Sequence, residues 1–215
     1  MWLEASSSYK PGLLATSIRV KRDISLIGDE AELRGSPRVA GLDLAARSSR
    51  CSGYALINAS SRVVERVQCL YTDEEILSVV LRDKPRVLAI DAPISPSPRW
   101  REVDRLARRA GFRVMPPTLG PMRELTLRAW RLYENLSSLG VEVIETHPSS
   151  VLLATSVESL AELLLKLGLS CRECYALTRD LADAILAAIA AYCYSARFCA
   201  YAVVAGDGAI HLARL

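Results

Sequence analysis

Three acidic residues each lie in or at the end of a short apolar run that is typical of a β-strand. Asp43 lies within GLDLA. In AIDAP, Asp91 ends the apolar strand, directly before Ala92 and Pro93, and Glu145 ends the run VEVIE. Parallel strands lie about 4.8 Å apart, so side chains that leave neighbouring strands at the same end converge. Three carboxylates placed in this way repel one another unless a cation lies between them. The sequence therefore predicts a cation site at one edge of a sheet.

Two further acids, Asp180 and Asp183, stand at the start of an apolar helical segment that begins near Thr178. Their i, i+3 spacing places them on one face of that helix. A cluster of oxygen ligands suits Mg²⁺ or Mn²⁺ and not zinc, and two such ions would activate a water and stabilise the leaving oxygen in phosphodiester cleavage. The predicted catalytic residues are Asp43, Asp91, Glu145, Asp180 and Asp183, and the predicted metal ligands are Asp43, Asp91, Glu145 and Asp183. For each acid taken singly, a helix cap or a surface charge is the alternative.

Positive charge is concentrated in one segment of the chain. Between Arg99 and Arg131 there are nine arginines and three acidic residues, although the whole chain has a formal net charge of only +3. Such a segment could hold the phosphates of a nucleic acid. The predicted nucleic-acid contacts are Arg99, Arg101, Arg105, Arg108 and Arg109. The alternative is a solvated helix face with ion pairs such as Arg101 to Asp104.

His147 follows Glu145 by two residues, which makes it a candidate for supporting the carboxylates from outside the ligand set. A loop histidine satisfied by its neighbours is the alternative.

The elements that must position these residues alternate in a regular way after residue 37. Three strand patterns come first, and their short connections allow only antiparallel neighbours, so they form a meander. Helices and apolar strands then alternate, and the first helix has a capping box formed by Thr72 and Glu75. The chain ends in a strand pair joined by a predicted Asp207-Gly208 turn. This pattern predicts a mixed α/β sheet with helices on both faces and a C-terminal hairpin.

The composition fits a folded protein of one large domain. The chain has 215 residues, of which 51% are hydrophobic and 24% are charged, and this excludes disordered and collagen-like chains. Residues 1–37 are more polar and end in a Gly-Ser-Pro breaker, so we interpret them as an N-terminal extension to a domain at 38–215. In the apolar run 184–206, Arg197 interrupts the sequence, which predicts a buried helix followed by a strand and no membrane span.

The six cysteines are too sparse for a disulfide scaffold, and the N-terminus has no secretory leader,. We therefore expect reduced thiols and a cytoplasmic protein. Cys171 and Cys174 form a lone CxxC, for which zinc binding or a disulfide is a minor alternative.

Five segments together resemble a known family. GLDLA with SGYALI, AIDAPIS, the arginine-rich segment with Asp104, VIETHPSS and RDLADAILAAIAAY occur in this order. They resemble the predicted-nuclease family of RNase H-like fold that is catalogued as a domain of unknown function, family 429, over about residues 38–215. The resemblance implies a five-stranded sheet of order 3-2-1-4-5, with Asp43 and Asp91 on neighbouring central strands. It also implies that the helix of Asp180 and Asp183 occupies the place where related resolvase-type nucleases carry their last acids.

The function predicted from these features is a hydrolase, namely a metal-dependent nuclease that uses two Mg²⁺ or Mn²⁺ ions and has DNA or RNA as its partner. One alternative is a non-catalytic nucleic-acid-binding module of the same fold. Another is an actin-like phosphoryl-transfer enzyme. That enzyme class needs a glycine-rich phosphate-binding hairpin after the first strand, and residues 45–50 contain no glycine.

Overall fold

A computed structural model of the chain describes residues 38–174 and 176–215. The extension predicted for residues 1–37 lies outside the described residues.

The domain alternates strands and helices in the predicted order. The strands are β1 (Arg38–Asp43), β2 (Ser52–Asn58), β3 (Val63–Leu70), β4 (Val87–Ile90), β5 (Glu142–Thr146), β6 (Ala200–Ala205) and β7 (Gly208–Ala213). The helices are α1 (Asp73–Asp83), α2 (Glu102–Arg109), α3 (Gly120–Ser138), α4 (Pro148–Thr155), α5 (Leu160–Leu167) and α6 (Arg179–Ala196). The capping box predicted for α1 is present: Thr72 accepts a hydrogen bond from the backbone of Glu75, and the Glu75 side chain bonds the backbone of Thr72.

All seven strands form one sheet, in the order β3-β2-β1-β4-β5-β7-β6. Strands β1, β2 and β3 are antiparallel neighbours, whereas β4 and β5 continue the sheet parallel to β1. The first five strands therefore have the order 3-2-1-4-5, and the predicted RNase H-like fold is confirmed. The C-terminal hairpin extends the same sheet, because β7 pairs with β5 in parallel.

Helices cover both faces of the sheet, so the sheet separates two hydrophobic cores. Successive residues of a strand face one core and then the other. On one face, Val39 and Ala89 pack in the core cluster that contains most of α6. On the other face, Leu42 and Ile90 pack with Leu132 of α3 in a second cluster. This alternation follows from the two-residue period of a strand. Because Val39 faces α6, Asp43, four residues later on the same strand, faces α6 as well.

Two glycines allow α6 to lie directly on the sheet. A Cβ atom at Gly41 would overlap the backbone of Ala184 and Ala188 and would lie 2.7 Å from the carbonyl carbon of Ala187. A Cβ atom at Gly53 would overlap the carbonyl group of Asp180. Only hydrogen atoms fit between strand and helix at these two positions, and this close approach brings the acidic start of α6 to the end of β1.

We expect Gly41→Ala to displace α6 from the sheet. Overpacking in a well-packed core costs about 1–3 kcal/mol, and a clash with backbone atoms belongs at the upper end of that range. Thermal unfolding should therefore show a melting temperature lower by about 6–12 °C. Gly120→Ala is the matched control, since nothing lies within 4 Å of a Cβ atom there. Equal melting temperatures for the two variants would contradict the close packing of α6.

The expectation of reduced cysteines is wrong, because the structure pairs all six in disulfides. Cys51 bonds Cys69, Cys171 bonds Cys174, and Cys193 bonds Cys199. The first pair is brought together by strand pairing, since Gly53 is the partner of Cys69 in the β2–β3 ladder. The cytoplasmic prediction rested partly on reduced thiols, and this observation removes that part of its basis.

The predicted segment at 184–206 is confirmed as a helix followed by a strand. In the described part of the chain, no helix combines the length and the apolar character needed to span a bilayer.

The turn of the C-terminal hairpin lies one residue earlier than predicted. Ala205 pairs with Gly208, so the two turn residues are Gly206 and Asp207. In this turn the Asp207 carboxylate accepts hydrogen bonds from the backbone N–H groups of Glu102, at 2.6 Å, and Val103, at 3.1 Å. The hairpin turn thus caps the N-terminus of α2 from another part of the chain.

Candidate functional site

Asp43 and Asp91 lie side by side at the carboxyl ends of two parallel strands. Leu42 of β1 is the register partner of Ile90 of β4, so the next residue on each strand is an aspartate. The backbone N–H of Asp91 donates to the carbonyl of Leu42 at 2.8 Å, which continues the ladder to this point. Both aspartates are half-buried. Strand register therefore places two carboxylates at neighbouring positions, as predicted.

The start of α6 brings a third carboxylate to the same place. Asp183 lines one pocket together with Asp43 and Asp91. Asp180, three residues earlier, acts on this group through its charge and raises the pKa of both Asp43 and Asp183. With Glu145, four of the predicted acids line the pocket, and Asp180 is close enough to influence Asp43 and Asp183.

Burial and mutual repulsion make these carboxylates difficult to ionise. Burial, followed by the charges of Asp183 and Asp180, raises the pKa of Asp43 to about 7. Burial also raises the pKa of Asp91 well above its usual range, and the charges of Asp43, Asp183 and Glu145 add to the effect. Within residues 38–174 and 176–215, no hydrogen-bond donor contributes to the pKa of Asp43 or Asp91. A cation would remove this repulsion.

Arg179 is a pocket residue that the sequence analysis did not select. It is the first residue of α6, its side chain is 89% exposed, and its Nε lies 3.4 Å from a carboxylate oxygen of Asp183. Its positive charge lowers the pKa of Asp43 and of Asp91. The signal in the sequence was its position directly before Asp180, at i, i+4 from Asp183.

Glu145 lines the same pocket, where Arg101 holds both of its oxygens. Arg101 donates from Nη2 to Oε1 at 2.5 Å and from Nη1 to Oε2 at 2.6 Å. The backbone N–H of Ile94 donates to the same Oε2 at 2.8 Å. Burial raises the pKa of Glu145, whereas Arg101 and Ile94 lower it, and the short two-pronged contact is that of an ionised pair. The structure thus gives the pocket residue Glu145 an arginine partner, and its role as a metal ligand stays a prediction.

Strand register distinguishes Glu145 from the two aspartates. Glu145 pairs with Ile90 and not with Asp91, so it lies one position short of the aspartates. A shift of one residue turns a strand side chain towards the other face of the sheet.

Arg101 is corrected from a nucleic-acid contact to a buried structural residue. Its side chain is 2% exposed, and it also donates to both carboxylate oxygens of Asp104 at 2.6 and 3.2 Å. Burial alone would lower the pKa of Arg101, but hydrogen bonds to Glu145 and Asp104 more than offset this and raise it. The Arg101–Asp104 pair proposed from spacing exists, although it is buried and not solvated.

The other predicted arginine contacts lie on the surface. Arg99, Arg105, Arg108 and Arg109 are all exposed. Arg108 lies over the ring of Trp100, with its guanidinium carbon 5.4 Å from the ring centroid. In the described chain none of the four lines the acidic pocket, so they form a separate basic surface on and beside α2.

His147 lines the pocket, and its ring is anchored by a neighbour. Its Nδ1 lies 2.6 Å from the hydroxyl oxygen of Ser150, in the first turn of α4. Burial lowers the pKa of His147, so the ring is neutral at pH 7. Both readings of this residue from the sequence, a satisfied loop histidine and a neighbour of the carboxylates, agree with this position.

The chemistry of the pocket carboxylates fits a hard divalent cation. Asp43, Asp91 and Asp183 offer only oxygen atoms, which are the ligands that Mg²⁺ and Mn²⁺ prefer. Among the residues that the structure describes, no three acidic, histidine or cysteine side chains are already arranged to hold a metal ion.

Two RuvC structures are among the solved structures to which this chain is similar. A Thermus thermophilus RuvC structure is 18% identical, covers 74% of this chain and 96% of its own, and has a TM-score of 0.46. The T. thermophilus RuvC in complex with a Holliday junction substrate is 17% identical, covers 75% of this chain and 96% of its own, and has a TM-score of 0.45. No family model matches the chain, and no curated protein matches it.

Proposed function

We propose that this protein is a metal-dependent nuclease that hydrolyses phosphodiester bonds of DNA or RNA, and that it belongs to the predicted-nuclease family its motifs resemble. The observation that supports the proposal best is the group formed by Asp43, Asp91 and Asp183. These are half-buried carboxylates on adjoining elements, and their raised pKa values reflect burial and mutual repulsion. Such an arrangement costs stability, and it suits a function that brings positive charge to the site.

In this proposal the three carboxylates hold Mg²⁺ or Mn²⁺, and Asp180 is the remaining candidate for a second ion. When bound, the ions would lower the pKa of a water molecule and stabilise the leaving oxygen. Arg179 is exposed, and among the described residues it pairs only with Asp183, so its guanidinium can turn to a substrate phosphate once Asp183 binds a cation. The neutral His147 adds no charge that would compete with the cation.

The direct test is a cleavage assay with the full chain and with Mg²⁺ or Mn²⁺. The substrates should include single-stranded DNA and RNA, duplexes, hybrids and branched junctions, each also incubated with EDTA. We expect ion-dependent cleavage of at least one substrate. If wild-type protein binds these substrates but cleaves none of them with either ion, the nuclease proposal gives way to the non-catalytic binding module.

The exposed arginines of α2 should supply phosphate contacts outside the pocket. Each phosphate contact contributes about 0.7–0.9 to the slope of the logarithm of affinity against the logarithm of salt concentration. Replacing Arg105, Arg108 and Arg109 together by alanine should lower that slope by about 2–3. Fluorescence anisotropy with labelled oligonucleotides measures it, and Arg172→Ala, an exposed arginine of another loop, is the control. An unchanged slope in the triple variant would mean that this surface is only solvated.

A further inference from the structure

One wall of the acidic pocket is apolar and comes from the connection between α2 and α3. Val114, Met115, Met122 and Leu125 line the pocket that also contains Asp43, Asp91 and Asp183. The chain has three methionines. Met1 lies outside the described residues, and the other two, Met115 and Met122, both line this pocket.

The two methionines are not required to fill a core. Val114 packs against the cluster on the α6 face, and Leu125 packs against the cluster on the other face. Within the described residues, Met115 and Met122 belong to neither cluster, and Met115 is 54% exposed. Methionine is flexible and polarisable, and it forms favourable contacts with flat aromatic rings. The position of Met115 and Met122 between the two cores and beside the carboxylates therefore suits contact with a ligand.

We propose that this wall, which we call the methionine wall (Val114, Met115, Met122 and Leu125), binds one unpaired nucleobase of the substrate. The inference rests on the proposed function, since it places the base next to the phosphate that the acidic group would address. The pocket volume of about 220 Å³ is smaller than the roughly 300–1,000 Å³ of sites for drug-sized ligands. It therefore suits a single base with part of its sugar and not a base pair.

This assignment narrows the class of substrate. A base inside a duplex is stacked and paired, and turning it out costs a few kcal/mol. The methionine wall would therefore favour single strands, or duplexes that already contain an unpaired or mismatched base next to the cleaved bond. Nothing in the wall distinguishes one base from another by hydrogen bonds, so the contact should be tolerant of base identity.

Methyl-group NMR tests the proposal without relying on cleavage. Protein labelled with carbon-13 at the methionine methyl groups gives three signals, which single substitutions at Met115 and Met122 assign. Adenosine, added without metal, should shift the signals of Met115 and Met122 through the ring current of the base. The same titration with 2-deoxyribose 5-phosphate in the presence of Ca²⁺ should leave them unshifted, and the Met1 signal should stay in place in both.

Affinity gives the second measurement. Met122→Ala should weaken adenosine binding about tenfold, because it removes most of one side of the contact. Leu127→Ala, a partly exposed apolar residue of the same helix that does not line the pocket, should leave it unchanged. Shifts of the Met1 signal alone, equal shifts with the sugar phosphate, or the same affinity in both variants would each overturn the proposal. If adenosine shifts the Met115 and Met122 signals but the wild-type protein cleaves no substrate with either ion, the nuclease proposal is contradicted and the base-binding proposal is supported.

Discussion

Asp91→Asn should abolish Mg²⁺- or Mn²⁺-dependent cleavage, and Asp43→Asn should do the same. Each substitution keeps the size of the side chain and removes one ligand charge from the pocket. Substitution of residues that only support metal ligands costs about 10–100-fold, and loss of a direct ligand should cost more. We therefore expect cleavage rates lower by more than about 100-fold, measured as single-turnover rates on the best substrate.

The same variants should not be less stable than the wild type when metal is removed. The folded-state pKa of Asp43 is raised to about 7 from an ordinary value of 3.8. The unfolded chain therefore loses this proton at lower pH than the folded chain, and wild-type stability falls as pH rises from about 4 to about 7. Asp43→Asn removes that loss, so in EDTA its melting temperature should match the wild type below pH 4 and equal or exceed it at pH 8.

Glu134→Gln is the matched control, since it removes one negative charge from an exposed position on α3. It should keep full cleavage activity and the wild-type fall of stability as pH rises from about 4 to about 7. Cleavage that survives Asp91→Asn would refute the metal-site proposal. Loss of activity accompanied by a lower melting temperature in EDTA would show that the aspartate supports the fold and not the chemistry.

The sequence predicted the elements and their order well, because the signals for each are local. The capping box of Thr72 and Glu75 and the alternation of apolar residues in β1 depend on residues close in the chain. The pair of Asp43 and Asp91 was also predictable, since each directly ends or follows a buried parallel strand. The start of α6 supplied Asp183, although its closeness to Asp43 depends on Gly41 and Gly53, whose role only the packed structure reveals.

The errors arose where long-range geometry decides. A one-residue offset in the β4–β5 register pairs Glu145 with Ile90 and not with Asp91, and no local pattern specifies that offset. The partner of Cys51 was not predictable either, since it is set by the β2–β3 ladder across a sequence separation of 18 residues. The burial of Arg101 was not predictable for the same reason, since its partner Glu145 lies 44 residues away in the chain.

The network around Arg101 should have the largest effect on stability. Arg101→Met would leave the carboxylates of Glu145 and Asp104 buried, with 7% and 2% exposure, and without their cation. Removing one partner of a buried ion pair costs about 3–5 kcal/mol, which corresponds to a melting temperature lower by about 6–20 °C for a domain of this size. Thermal or denaturant unfolding of the full chain measures this loss.

Two further variants distinguish the stability lost by breaking the ion pair from the stability lost by removing any arginine. Arg105→Met changes an exposed residue of the same helix, and it should alter stability by no more than about 0.5 kcal/mol. Adding Glu145→Gln to Arg101→Met should recover part of the stability, because it removes one of the two unpaired buried charges. The Asp104 carboxylate would stay buried without its cation and would keep only the hydrogen bond from the backbone N–H at position 101, so recovery should be incomplete. If Arg101→Met were as stable as Arg105→Met, Arg101 would not hold Glu145 in solution, and the Glu145 carboxylate would be free to act as a ligand beside Asp91.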